Sequence, residues 1–286
     1  MTEQEAQWAV VTYAIDAGLA DVVSNLLATL NFHDFTISSR CDRKLDLVCY
    51  GRNGVLPQAV RDILAHLTIS DEHIVGEFAL IASADDSAGV ELCPDVWIIP
   101  EEPAPYNEPQ IPLYLGRGPA FGDGRHPTTR SAARLMRKLD WQNELVWDVG
   151  AGSGVLGLLA KRLGADTVIF GDIDEDALRT CRRSCQLNDY PDASILSCDL
   201  LNGFPTDQVP HTIIANIYAE LVDDLLRSEA LAKALPTGRL ILSGISHHKA
   251  DMIRSRLAQM NFQIIAEEQE EWWYAFHGVR LQGATP

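Results

Sequence analysis

A chain of 286 residues with 47% hydrophobic content is long enough for two domains with real cores. Its formal charge of −17 argues against a general nucleic-acid binder, which needs clustered Lys and Arg, and suits a cationic partner or plain solubility. No apolar run reaches the ~18 residues of a membrane span.

The chain opens on Met1-Thr2-Glu3-Gln4-Glu5, acidic where a secretory leader would be basic, so a cytoplasmic protein without membrane contact is expected. Residues 1–92 read as a small α+β domain. Trp8 to Ile15 is a strand, Leu19 to Leu30 an amphipathic helix, and Phe35 to Ser38 a second strand. Lys44 to Tyr50 alternates as a third, before a turn at Gly51-Arg52-Asn53-Gly54. Pro57 to Leu67 is a helix with proline in its first turn, and Glu72 to Ser83 a closing strand. The order β-α-β-β-α-β predicts a ferredoxin-like fold. Nothing in it carries chemistry, and it either docks a partner or packs on its neighbour. Between 93 and 119, Pro94, Pro100, Pro103, Pro105, Pro109, Pro112 and Pro119 break helices and favour extended chain. That stretch is expected to be an interdomain linker, with Trp97 and Tyr106 packing on either side.

Residues 120–286 alternate between strands and helices. A helix over Thr129 to Leu139 precedes a strand at Leu145 to Val149. Then follow helix 154–163, strand 167–171, helix 174–188 and a strand at Ser194 to Cys198. Thr212 to Ala215 forms a strand ending at Asn216, and helix 218–234 leads to a strand at Gly238 to Ser243. A helix over His248 to Met260 precedes strands at Phe262 to Glu267 and Glu271 to Leu281, which read as an antiparallel hairpin. Such alternation makes a parallel α/β sheet covered on both faces, with ligands at the carboxyl ends of its strands. Asp148, Asp172, Asp199 and Asn216 all fall there. Six cysteines, Cys41, Cys49, Cys93, Cys181, Cys185 and Cys198, contain no C-x-x-C pair, so buried free thiols are expected, with no metal site.

The run Val146-Trp147-Asp148-Val149-Gly150-Ala151-Gly152-Ser153-Gly154 is a strand, a tight turn and the start of a helix. Glycine lets the backbone turn sharply and lets a ligand lie against it. A dinucleotide turn, G-x-G-x-x-G, would need glycine at Val155. Glycines at 150, 152 and 154 instead fit the D-x-G-x-G-x-G turn of Rossmann-like methyltransferases, which bind S-adenosylmethionine (SAM). Asp172 stands 22 positions past Gly150, where a carboxylate at the tip of the second strand grips a ribose diol. The competing reading makes Asp172 and Asp174 caps of the helix that follows.

Phe121-Gly122-Asp123-Gly124-Arg125-His126-Pro127-Thr128-Thr129-Arg130 resembles the F-G-x-G-x-H-P-T-T segment of the bacterial ribosomal protein L11 methyltransferase (PrmA) family. Asp148 to Gly154, Gly164 to Asp174, Ala215-Asn216-Ile217, Leu242-Ser243-Gly244-Ile245 and Glu270-Glu271-Trp272 also resemble family segments. The resemblance spans nearly the whole chain. It implies a SAM-dependent protein methyltransferase acting on lysine ε-amines and an α-amine of a ribosomal protein, with an N-terminal substrate-recognition domain. Carried over by position, Thr129, Gly150, Asp172 and Asn216 contact SAM, Gly152 lets the backbone approach its methionine portion, and Asp148 closes the first strand beside it. Asp199 reaches the adenine amine or simply begins the next loop.

Methyl transfer to an amine needs a neutral nucleophile, and deprotonating a lysine of pKa ~10.4 near pH ~7.4 costs about 4 kcal/mol. Desolvation lowers that cost, so alignment and water exclusion would carry catalysis. Asn216 is the candidate to hold the amine or SAM through its carbonyl, with a strand-end turn as the alternative. His126 is a general base or a shaper of its loop; Phe121 walls the methyl path or anchors the loop. Thr128 and Thr129 could also cap the helix. His247 and His248 lack metal-ligand spacing and read as an exposed helix start. Of Trp272 and Trp273, one would face the core and one the cleft. Asp123, Arg125, Tyr218 and Leu113 to Gly118 depart from the family pattern and are expected around the amine entrance, so the acceptor is less fixed than the cofactor. Alternatives are a SAM-dependent enzyme with another protein or a small amine as acceptor, and a non-catalytic SAM-binding interaction module. The sequence does not set the oligomeric state.

Overall fold

Two units divide the chain, Met1–Asp86 and Ser87–Pro286. The computed structural model describes residues 7–30, 32, 35–39, 44–52, 56–69, 74–81, 89–99, 111–116 and 120–281. Residues 1–5, Cys41, Asn53, Gly54, Tyr106, Arg117 and Gly118, singled out above, lie outside them.

In the first unit, β1 (Gln7–Asp16) passes through a 3-10 turn into α1 (Ala20–Thr29). Then come β2 (Phe35–Ser39), β3 (Lys44–Arg52), α2 (Gln58–His66) and β4 (Ile74–Ile81). The sheet order is β2-β3-β1-β4 and every pairing is antiparallel. Val11, Tyr13 and Ile15 alternate along β1, as do Leu45, Leu47 and Cys49 along β3, and all are buried. Val23 and Leu27 of α1 and Val60 and Leu64 of α2, spaced one helical turn apart, are buried with them.

The second unit begins with three short strands, β5 (Val90–Cys93), β6 (Val96–Ile99) and β7 (Ile111–Tyr114), in a sheet of their own. This corrects the expected linker over 93–119: its described residues, 93–99 and 111–116, belong to the second unit. Leu92, Val96, Ile98 and Leu113 are buried in that unit's core. Pro112 is tolerated because, among the described residues, β7 pairs only with β6 and sits at a sheet edge. Beyond it, the amide of Tyr114 donates to Asn188 Oδ1 at 3.1 Å and that of Gly116 to Ser184 Oγ at 3.0 Å. Tyr114 and Gly116 are therefore fastened to the C-terminal part of the helix that ends at Leu187.

The rest runs α3 (Pro127–Arg137), β8 (Leu145–Val149), α4 (Val155–Leu163), β9 (Thr167–Asp172), α5 (Glu175–Leu187), β10 (Ser194–Ser197) and β11 (Thr212–Asn216). Then follow α6 (Ala219–Arg227), α7 (Glu229–Ala234), β12 (Arg239–Ser246), α8 (His247–Gln259), β13 (Phe262–Glu270) and β14 (Trp273–Arg280). The seven-stranded sheet has the order β10-β9-β8-β11-β12-β14-β13, parallel except where β14 pairs β12 and β13. Both faces are covered, so its central strands carry apolar side chains on both sides. Val146, Val168, Phe170, Ile214 and Ile241 point into one core, whereas Trp147, Val149, Ile169, Ile213 and Leu240 point into the other. The helix expected over 218–234 is two, because Ser228 is extended (φ −70, ψ 138) and its Oγ accepts from Leu231 N at 3.1 Å to cap α7. The five described cysteines are free and buried.

Candidate cofactor site

The site forms where β8 gives way to α4. Gly150, Gly152 and Gly154 have φ of +69, +56 and +81, in the left-handed region that disfavours every side chain. The turn is pinned by neighbouring strands and loops. Gly150 N donates to Gly171 O at 2.8 Å, and Ser153 N to Phe121 O at 2.9 Å. Ser153 Oγ donates to Gly122 O at 2.8 Å, tying the turn to the loop 121–126. A Cβ on Gly152 would sit 2.5 Å from Phe121 O, and one on Gly150 would collide with the Ile217 side chain.

A cavity opens over this turn, lined by Phe121, Gly122, Asp148, Gly150, Gly152 and Asn216 among others. Asp148 is 2% exposed, and its Oδ2 accepts from Gly157 N at 2.8 Å in the first turn of α4. Burial pushes its carboxyl up to about 7, with the Gly157 amide opposing and the charge of Asp172 adding. Asp172 closes β9. Its Oδ2 accepts from Gly152 N at 2.8 Å and its Oδ1 from Asp174 N at 3.0 Å, which leaves each oxygen a further lone pair. Helix capping falls to Asp174 instead, whose Oδ1 accepts from Asp176 N at 2.9 Å.

Asn216 ends β11 and donates through Nδ2 to Thr129 Oγ1 at 3.3 Å; its Oδ1 is buried and has no partner. A buried unsatisfied carbonyl costs about 1–3 kcal/mol, so one on a cavity wall is a docking point for a donor. Thr129 is fully buried behind it. His126 caps α3: its Nδ1 accepts from Thr128 N at 3.3 Å and contacts Thr128 Oγ1 at 2.8 Å. Burial drives its pKa down to about 4, so near neutral pH the ring is uncharged. Its ring packs edge-on against Phe121 and Trp273, each at 5.2 Å between centroids. Trp273 thus faces this loop, and Trp272 packs on His247 and His248, exposed at the start of α8. Asp123 and Arg125 form an exposed ion pair at 3.1 Å. Asp199 stands apart, exposed in a turn closed by Asn202 N donating to its carbonyl at 2.9 Å.

Two further features were not legible. Ser153 gives no signal beyond sitting between glycines, yet it joins the turn to the loop. Ile173 is 71% exposed beside Asp172, an apolar side chain in water at a strand tip; its place between two acids was the available signal. Among the described residues no group of three His, Cys, Asp or Glu could hold a metal ion, and no helix is long and apolar enough to cross a membrane.

The glycine cradle, the strand-tip acid and the orphan carbonyl fit a SAM molecule, and the sheet order is that of a Rossmann-like methyltransferase fold. The family model described as ribosomal protein L11 methyltransferase (PrmA) matches residues 85–281. The chain belongs to that family. It is 38% identical over 175 residues to a ribosomal protein L11 methyltransferase of Limosilactobacillus reuteri, covering 61% of this chain and 54% of the relative; the match thus spans about half of that relative's length. It is 31% identical over 244 residues to one from Thermotoga maritima, covering 85% and 88%. A crystal structure of ribosomal protein L11 methylase from Lactobacillus delbrueckii subsp. bulgaricus superposes with a TM-score of 0.60 at 30% identity, covering 67% of this chain and 98% of that one.

Proposed function

We propose that this chain is a cytoplasmic SAM-dependent protein methyltransferase whose acceptors are lysine ε-amines and an α-amine of ribosomal protein L11. The observation that carries the reading is the buried, partnerless Oδ1 of Asn216 on the wall of a glycine-lined cavity. Asp172 would hold the ribose diol through its remaining lone pairs, with Ile173 offering an apolar face for the adenine, and Asp199 stays the first residue of the next loop. Gly150 and Gly152 would let backbone approach the methionine portion, Thr129 would brace Asn216, and Asp148 would fix the turn to α4.

When bound, SAM supplies an electrophilic methyl group for in-line transfer to nitrogen. The chain's own work is to bind, align and dry the reactants. Asn216 Oδ1 accepts a hydrogen bond from the amine or from the cofactor's own ammonium. Phe121, half exposed at the cavity edge, covers the transfer path and excludes water. His126 serves as an uncharged cap that shapes the loop, since its Nδ1 is engaged by Thr128. The net charge of −17 favours encounter with a basic acceptor.

The test is transfer of label from methyl-tritiated SAM to purified L11, beside a lysate lacking this chain. Label on L11 is expected. Label confined to another protein or a small amine would transfer the reading to that acceptor. Tight S-adenosylhomocysteine binding with no label anywhere would make the chain a binding module.

A further inference from the structure

Outside the cavity, Arg130, Arg134 and Lys138 recur every four residues along α3 and its cap, on one helical face. Strand β13 opposes them with Glu268 and Glu270, two apart and so on one face of the strand. Glu270 bridges two arginines: its Oε1 accepts from Arg130 Nε at 2.7 Å and its Oε2 from Arg134 Nη2 at 2.5 Å. Glu268 pairs with Lys138 at 2.5 Å and with Arg134 at 3.4 Å. Burial pushes the Glu270 carboxyl up, but the hydrogen bonds from Arg130 and Arg134 outweigh it and hold the group below the ordinary range.

Arg130 differs from the rest of this ladder. Its Nη1 also donates to the backbone carbonyl of Arg125, the last residue before the capping histidine. Glu270 is likewise at a junction: it ends β13, and three residues later Trp273 packs on His126, which packs on Phe121. One guanidinium and one carboxylate therefore join the loop 121–126, the start of α3 and the β13–β14 hairpin. The pair is about one quarter exposed on each side, 25% and 22%, so water screens it less than a surface pair.

We propose that Arg130 and Glu270 are positioning residues for group transfer, a clamp that holds Phe121 and His126 in register over the cavity. The proposal rests on the methyltransferase reading and adds to it a set of residues that touch neither cofactor nor acceptor. A clamp of this kind acts on alignment, where small misplacements are costly, and leaves cofactor contacts on β8, β9 and β11 unchanged.

The test compares the full chain with Glu270→Gln, Arg130→Lys and Glu268→Gln. Glu270→Gln removes the bridging charge, Arg130→Lys keeps a charge but loses the fork that reaches the Arg125 carbonyl, and Glu268→Gln weakens the ladder without touching Arg130. Three readouts are taken: S-adenosylhomocysteine affinity, kcat and KM for L11 methylation, and the His126 ring signals by NMR. The first two variants are expected to lower kcat roughly tenfold with KM and cofactor affinity nearly unchanged, and to shift the His126 signals. Glu268→Gln is expected to do neither. Unmoved His126 signals in Glu270→Gln, or the same kcat loss in Glu268→Gln, would overturn the clamp. If the wild-type chain methylates nothing, the functional reading falls, and the His126 signals still decide whether the clamp holds the loop.

Discussion

Replacing Asp172 by Asn separates two tasks of one side chain. The carboxylate takes Gly152 N on one oxygen and Asp174 N on the other, at 2.8 and 3.0 Å. Asparagine keeps one oxygen, so one of these backbone amides must face an NH2 group. The site is only partly buried, so we set that loss near 1 kcal/mol, or a fall of roughly 2–4 °C in the melting temperature of the second unit. Affinity should suffer more. Two charge-assisted bonds to a ribose diol, at about 1.5 kcal/mol each, predict a loss of about 3 kcal/mol, or roughly a hundredfold in Kd. Calorimetric titration of S-adenosylhomocysteine against wild type and variant, each with a thermal melt, measures both. Affinity within threefold of wild type would refute the ribose assignment; a collapse in melting temperature would mean that the carboxylate is chiefly a structural clasp.

Gly152→Ala tests the cradle. It forces an alanine to φ +56 with its Cβ 2.5 Å from the Phe121 carbonyl, so we expect a cost of at least ~1–2 kcal/mol and a displaced loop. Unchanged melting and cofactor affinity would show that the turn is looser than described. His126 sets a pH dependence. Its folded pKa of about 4 lies below the unfolded 6.5, so above 6.5 both states are neutral and the group contributes nothing. As pH falls toward 4 the unfolded state takes the proton first, and the penalty grows to about 3 kcal/mol. Urea midpoints of wild type and His126→Asn, which retains a capping oxygen, should diverge below pH 6.5; parallel curves down to pH 4.5 would contradict the burial argument.

The parallel sheet was legible because its strands are short, apolar and punctuated by glycines and strand-tip acids. The turn from Asp148 to Gly154, the cap at Asp174 and the terminal hairpin all lie where their local chemistry puts them. The stretch around 93–119 was not, because proline reports only a missing amide and a fixed φ. Pro112 could sit in a strand once an edge position was available, and edges are set by partners distant in sequence. The break at Ser228 was hidden for a related reason: a serine inside an apolar rhythm looks like a solvent-facing helical residue until its hydroxyl caps a new turn. The orphan oxygen of Asn216 and the joining role of Ser153 depend on which loops approach them. No local pattern encodes that.

The placement of β14 has a consequence for how the molecule is made. Trp273 to Arg280 occupies an interior slot, bonded on one edge to β12 and on the other to β13. A ribosome must therefore release the chain past residue 280 before the sheet can close. Until then β12 presents a bare edge, and His126 lacks its tryptophan neighbour. Before β14 is inserted, the nascent chain would carry a finished glycine turn beside an unfinished wall.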